Sequence, residues 1–159
     1  MATSPINGPV FSSAAVGGMN AERFNNFLAQ ARMNLDPDKS VIFVYDRALA
    51  HENPTILAPK TELKMLPPYS PFLNILEQAI SSLKAAIKAD ISRPEIQRPV
   101  DNRDEARARR MPLEDFRTQL LLEALNTNID PVTAAKCAQW FRFMQTYLPR
   151  CLNREVIEG

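Results

Sequence analysis

Two carboxylic acids stand where an α/β chain usually presents its chemistry. Asp46 directly follows the apolar run 40–45 (SVIFVY), whose β-branched and aromatic residues predict a strand covered on both faces. Glu77 lies one turn inside a helix that the apolar spacing predicts from Phe72 to about Ile91. Ligands of open α/β sheets bind beyond the carboxyl ends of strands, and carboxylates held there suit a hard cation such as Mg²⁺.

A proline-rich loop is expected to position these two acids. Residues 66–71 (LPPYSP) follow a strand predicted from Glu62 to Leu66, and their prolines exclude regular structure. Because a rigid loop loses little entropy on ordering, it can hold the start of the helix beside the strand end. Two carboxylates held this way could share a pair of Mg²⁺ ions for phosphoryl transfer. The residues alone also permit a plainer interpretation, with Asp46 as a turn former and Glu77 as a solvated helix residue.

Two strings in the sequence resemble a known family. Residues 44–51 (VYDRALAH) are similar to the strand-then-Asp-Asn-Ala-x-x-His motif of mariner-like transposases and related insertion-sequence enzymes. Residues 66–77 (LPPYSPFLNILE) resemble the Leu-Pro-Pro-Tyr-Ser-Pro-x-Leu-Asn-x-x-Glu signature of the same DDE superfamily endonucleases. The resemblance covers roughly residues 1–91. It implies a ribonuclease H-like (retroviral-integrase-like) α/β fold and a triad of acids that uses two divalent cations, Mg²⁺ or Mn²⁺, to cut and join DNA.

The resemblance assigns roles to individual residues. Matched by position, Asp46 is the second acid of the triad and Glu77 the third, each a catalytic residue and a metal ligand. His51 and Asn74 belong to the same two strings and are expected beside the site. Arg47 departs from the family pattern, which usually has Asn at that position.

The first acid of the triad has no counterpart in the sequence. The family carries it in the first strand, upstream of the hairpin that Asn7-Gly8 predicts here, and no Asp or Glu precedes Glu22. We therefore expect an N-terminally truncated catalytic core with a helical C-terminal part. The implied function is that of a transposase-derived protein of the DNA transposition and integration class, catalytically incomplete on its own. A true start upstream of Met1 would restore the missing strand.

The competing interpretation is a non-enzymatic module that binds nucleic acid or protein and is built from a transposase remnant. Lys84 and Lys88, one turn apart on the helix after Glu77, are candidate phosphate contacts. A sheet that lacks its first strand exposes a hydrogen-bonding edge, so a homo-oligomer formed through that edge is also expected. Metal-dependent nuclease activity would separate the enzyme from the module.

Composition sets limits on these functions. The chain has 159 residues, 45% hydrophobic and 23% charged, with a net charge of +1, so charge alone does not indicate nucleic acid. No apolar stretch is long enough to span a membrane, and no signal peptide is evident. Cys137 and Cys151 are expected to be reduced thiols that serve as packing residues. This predicts an intracellular protein, located in the nucleus if the source is eukaryotic.

Composition also predicts how the chain is divided. Residues 1–91 form the partial catalytic core, 92–112 a charged connector containing prolines, and 113–159 a helical part. Asn20 is expected to cap a helix over 21–31, and a strand is expected over 10–16. Asp130-Pro131 should open the last helix, with Ala134 on its core-directed face.

Overall fold

The chain is a mixed α/β protein in a computed structural model that describes residues 1–14, 16–51, 53–55, 58–94, 103–128 and 130–153. The described strands are β1 (Ala2–Ser4), β2 (Gly8–Phe11), β3 (Val41–Tyr45) and β4 (Thr61–Met65). The described helices are α1 (Ala21–Met33), α2 (Ile75–Ile91), α3 (Arg103–Ala108), α4 (Leu113–Thr127), α5 (Ala134–Gln145) and α6 (Leu148–Leu152). Two compact units are present, one of residues 1–78 with 133–159 and one of residues 79–132.

Strands β1 and β2 form the hairpin that Asn7-Gly8 predicts. They pair antiparallel with Ser4 opposite Gly8, so residues 5–7 make the turn. Asn7 lies in this turn without a positive φ, whereas Gly8, the first residue of β2, has a φ of 74°, where a side chain would be strained. The prediction of a strand over 10–16 is wrong beyond Phe11, where β2 ends. Residues 12–14 are exposed, so pairing them in a strand would bury no apolar surface. Ala15 lies outside the described residues.

Helix α1 begins as predicted. The Asn20 side chain accepts a hydrogen bond from the Arg23 backbone N–H at 2.9 Å, which satisfies one of the free donors at the helix N-terminus. Phe24 and Leu28 are buried on its apolar face. Phe27 lies against Phe11 of β2, with ring centroids 5.2 Å apart, so α1 packs on the hairpin.

Strands β3 and β4 form a separate parallel pair, with Val41 opposite Thr61 and Tyr45 opposite Met65. The prediction that this strand is covered on both faces is wrong. Ile42 is 57% exposed and Val44 60% exposed, and burial alternates along β3. The physical reason is that one face of this pair carries no described covering element, so the apolar side chains on that face stay in water.

Helix α5 begins later than predicted. Thr133, not Asp130, caps it, because the Thr133 hydroxyl accepts a hydrogen bond from the Lys136 N–H at 3.3 Å. Ala134 is exposed, contrary to the prediction of a core-directed position, and Cys137 is instead the fully buried residue of α5. Burial raises the pKa of the Cys137 thiol above its ordinary value. Cys137 and Cys151 are both free thiols.

The unit of residues 79–132 has its own small core. Phe116 of α4 is fully buried there, with the Arg109 guanidinium 5.1 Å from its ring centroid. The Asn128 side-chain amide donates to Asp90 at 3.1 Å, which ties the end of α4 to α2. Residues 95–102 of the predicted connector lie outside the described residues. Among the helices that the structure describes, none is long and apolar enough to cross a membrane.

Candidate functional site

Asp46 lies at the carboxyl end of β3, where the sequence places it. The Leu66 N–H donates to the Tyr45 carbonyl at 2.8 Å, one residue beyond β4. This bond continues the parallel pairing and holds the start of the proline loop next to the residue that precedes Asp46. The Asp46 carboxylate is 49% exposed, so it combines a fixed backbone with access to solvent.

His51 holds the Asp46 carboxylate. Its Nδ1 lies 2.6 Å from Asp46 Oδ1 and 3.3 Å from the Asp46 carbonyl oxygen. A carbonyl oxygen and an ionised carboxylate can only accept, so Nδ1 carries the proton and donates. Both groups belong to a short segment that ends in the 3-10 helix Leu49–His51, which turns the imidazole back toward the strand end.

An aromatic cluster fixes the imidazole from the other side. The buried ring of Phe24 on α1 stacks on His51, with centroids 3.9 Å apart and planes tilted by 26°. Tyr45 meets the same imidazole edge-on at 6.3 Å. Helical spacing predicts that Phe24 is buried, but it gives no sign that its partner is the histidine beside Asp46. That contact depends on how α1 packs against β3.

Glu77 lies in the first turn of α2 and is exposed. Its backbone N–H donates to the Asn74 carbonyl at 3.1 Å. The Asn74 side-chain oxygen accepts from the Leu76 N–H, also at 3.1 Å, so Asn74 caps α2. The proline loop therefore ends in a hydrogen-bonded cap that fixes the helix turn carrying Glu77.

The described residues do not assemble a complete metal centre. No group of three or more His, Cys, Asp or Glu side chains capable of holding an ion occurs among them. At Asp46 the imidazole donates to Oδ1, which engages one of the carboxylate's lone pairs and leaves the others open to a further ligand. A pair of divalent cations between the oxygens of a reacting phosphate needs several anionic ligands, and the described part of the chain does not bring such a set together.

The two lysines predicted to contact phosphate are exposed. Lys84 and Lys88 both lie on α2, and both side chains reach solvent. An exposed pair of ammonium groups one helical turn apart is free to approach an anion, although the same exposure is ordinary for a solvated helix face.

Comparison with known families assigns the chain. Residues 4–97, more than half of its length, match the family described as DDE superfamily endonuclease. The chain belongs to the DDE superfamily endonucleases. The matched region contains β3, the Asp46–His51 pair, the proline loop and Glu77, so every candidate site residue of this DDE protein lies inside it. No curated protein and no solved structure matches the chain.

Proposed function

We propose that this DDE superfamily protein derives from a mariner-like or insertion-sequence transposase and binds DNA without cutting it on its own. In this proposal Asp46 and Glu77 occupy the second and third acid positions of the triad, and the fold is that of a ribonuclease H-like domain. The observation that carries the proposal is the family match over residues 4–97, which spans both acids.

The geometry around the acids supports this assignment. Asp46 is held by His51, and the proline loop begins beside the same strand end, bonded to Tyr45. Glu77 follows the Asn74 cap at the other end of that loop. A carboxylate on a strand end and a second one on a fixed helix turn are the elements that a phosphoryl-transfer site requires from this part of a chain.

We infer catalytic incompleteness from the acids that the described strands carry. Asp46 follows β3, and neither β1 nor β2 contains an Asp or Glu. Since an exposed Glu77 and a half-exposed Asp46 supply too little negative charge for two divalent cations, we expect Mg²⁺ or Mn²⁺ to bind weakly. DNA remains the expected partner, with Lys84 and Lys88 as phosphate contacts. We place such a protein inside the cell, in the nucleus of a eukaryote.

Two measurements on the purified chain test the proposal. The first is nicking of supercoiled plasmid with Mg²⁺ or Mn²⁺, for which we expect no more product than with Asp46→Asn or Glu77→Gln.

The second is binding of a fluorescent duplex by anisotropy at several salt concentrations. We expect binding that weakens with salt, and replacing Lys84 and Lys88 by Gln should reduce the slope of log K against log salt by about 1 to 2.

Each outcome has a defined meaning. Nicking that both acid substitutions abolish would show that the remaining pair assembles a working metal site, and the non-cutting part of the proposal would be wrong. Absence of duplex binding at low salt would remove DNA as the partner. The matched control for the lysines is Lys39→Gln, which removes an exposed charge in the loop between α1 and β3 and should leave the slope nearly unchanged.

A second candidate is a protein-interaction module, favoured by one observation. Ile42 and Val44 present an apolar face of β3 to solvent, and patches of this kind often mark association surfaces. This candidate is compatible with DNA binding, since Asp46 and the proline loop lie beyond the end of the strand and not on that face.

A further inference from the structure

The segment that holds α5 and α6 carries charge of one sign. Residues 133–153 contain Lys136, Arg142 and Arg150 and no Asp or Glu, although the whole chain has 19 basic and 18 acidic residues. Lys136 and Arg142 are exposed, and neither makes an ion pair within the part of the chain that the structure describes. Their positive charge is therefore available to an anion from outside this part of the chain.

Three aromatic rings form a row beside these cations. Phe143 meets Tyr147 edge-on, with ring centroids 5.3 Å apart, and Tyr147 meets Phe72 at 5.4 Å. Phe143 is 54% exposed, and the other two rings are half-buried. A single exposed Phe is ordinary on a protein surface. This ring is held by its neighbours, so it loses little freedom on binding and suits the anchor of a protein–protein contact.

The cations border the exposed end of the row. Lys136 lies two turns before Phe143 and therefore on the same side of α5. Arg142 directly precedes Phe143 and is also exposed. We call Phe72, Lys136, Arg142, Phe143 and Tyr147 the basic aromatic face. All five belong to the unit of residues 1–78 with 133–159, and all except Phe72 lie beyond residues 4–97, which match the DDE family.

Charge and ring exposure together indicate the kind of partner. A DNA duplex would pair with the two cations, but its outer surface of phosphates offers no apolar group to the rings. A lipid surface needs apolar side chains that project into it, whereas nearly half of Phe143 is already covered by the fold. An amphipathic helix with acidic flanks supplies both an apolar stripe for the rings and carboxylates for the cations.

We propose that the basic aromatic face docks an acidic amphipathic helix of another protein, with an apolar side chain of that helix on Phe143 and its carboxylates paired with Lys136 and Arg142. This inference goes beyond DNA binding, because it names a partner of another class. It also concerns a surface separate from Lys84 and Lys88, the proposed phosphate contacts on α2.

The probe is a pair of fluorescein-labelled peptides of about 15 residues, long enough to form a helix on the protein. One peptide has Leu and Phe at helical spacing and Glu on both flanks of that stripe, and the other has Lys at every Glu position. Wild-type chain should bind the acidic peptide about 10-fold or more tightly than the basic one, as measured by anisotropy. Added salt should weaken binding of the acidic peptide, because it screens exposed charges.

Reversing the two cations should reverse this preference. The double variant Lys136→Glu with Arg142→Glu should bind the basic peptide more tightly than the acidic one. Position 136 lies in the first turn of α5 and position 142 in the last, so the favourable and unfavourable effects of the new acids on the helix dipole offset each other. The double variant should therefore melt close to the wild-type temperature, and a changed preference cannot be ascribed to unfolding.

The ring has its own variant and the surface has two controls. Phe143→Ala should weaken binding of both peptides, by about 10-fold for the acidic one, because the apolar anchor is lost whatever the charge. Lys39→Gln removes an exposed charge from the loop between α1 and β3, and Met33→Gln removes an exposed apolar side chain from α1. Both controls should bind the acidic peptide as wild type does.

Three results would overturn the inference. Equal binding of the two peptides by wild type, or binding of neither, would exclude an acidic helix as the partner. An unchanged preference in the double variant would show that other charges set it. The third result is a loss of binding to the fluorescent duplex, or to vesicles of anionic lipid, in the double variant while its peptide binding stays unchanged. The face would then contact DNA or a membrane. Duplex binding by wild type tests the DNA proposal separately, so the two proposals can fail independently.

Discussion

Arg32, at the end of α1, is a buried cation that has no carboxylate partner among the residues that the structure describes. It is 7% exposed, and its Nε donates to the Thr61 hydroxyl at 2.9 Å. Its two terminal nitrogens donate to carbonyl oxygens of the loop between α1 and β3, at residues 35, 36, 37 and 39. The guanidinium thus ties the end of α1, the entry to β3 and the first residue of β4 together.

Replacing Arg32 should therefore destabilise the folded chain strongly, although Arg32 makes no ion pair among the described residues. We expect Arg32→Ala to lower the free energy of unfolding by about 2 to 4 kcal/mol, because several carbonyls lose a charged donor in a buried place. Arg32→Lys should recover only part of this, since an ammonium group cannot reach the same fan of acceptors. Urea unfolding followed by circular dichroism measures both variants.

Arg23 provides the matched control. Its guanidinium likewise donates to backbone carbonyls, those of Val16 and Gly18 at 3.1 and 2.9 Å, but it does so in solvent. Arg23→Ala should cost below about 1 kcal/mol. If Arg23→Ala and Arg32→Ala lower the free energy of unfolding equally, burial does not determine how much the Arg32 hydrogen bonds stabilise the fold.

Local sequence patterns predict some of the residue contacts in this structure and cannot predict others. Asp46 at a strand end, and Asn20 as a helix cap, are local consequences of their neighbours in the chain, and the structure shows both. The contact of Phe24 with His51 joins a helix to a loop after β3 and follows from packing. No local pattern contains it. The roles of Asp46 and Glu77 as metal ligands stay predictions, since they depend on groups brought together in space.

The β1–β2 hairpin lies close against the start of α5. A Cβ added to Gly8 would lie 2.8 Å from the Ala134 backbone nitrogen and 2.9 Å from its Cα. These are backbone atoms, so they cannot move aside as a flexible side chain would. Gly8 also has the positive φ of 74° that the hairpin turn requires.

Gly8→Ala should accordingly destabilise the chain by about 2 to 5 kcal/mol, the sum of about 1 to 2 for the left-handed conformation and about 1 to 3 for overpacking. Gly18→Ala is the control, because a Cβ there meets nothing within 4 Å. That variant should be neutral or slightly stabilising. Chemical unfolding of both variants compares them directly, and a Gly8→Ala protein as stable as wild type would show that α5 does not dock on the hairpin.

Element boundaries were predictable wherever local signals agree. Strand β3, strand β4 and helix α1 follow from apolar runs and a capping side chain, and the structure contains all of them close to the predicted bounds. The predicted start of α5 was wrong because Asp130-Pro131 and Thr133 are both helix start signals and lie a few residues apart. In the structure the Thr133 hydroxyl makes the cap. Propensity alone cannot decide between two adjacent caps.

For the whole molecule, the described strands form two two-stranded sheets and not one larger sheet. The sequence could not reveal this division, because strand pairing is set by contacts distant in the chain. It leaves the pair β3–β4 with a solvent-facing side, on which Ile42 lies opposite Glu62 and Val44 opposite Lys64. The Glu62 and Lys64 side chains form an ion pair of 3.3 Å beside these exposed apolar groups.

This face predicts self-association. A second copy packed on it about a two-fold axis would bury Ile42 and Val44 and could set Glu62 of one copy against Lys64 of the other, so the surface is complementary to itself. We expect the sedimentation coefficient of wild type to rise with concentration. Replacing Ile42 and Val44 by Thr keeps strand propensity, removes apolar area and should hold the chain monomeric over the same range. Met33→Gln, which alters an exposed apolar residue on α1, should associate as wild type does. A wild-type chain that stays monomeric at every concentration would count against this face, and unchanged association of the Thr variant would direct attention to the open strand edges instead.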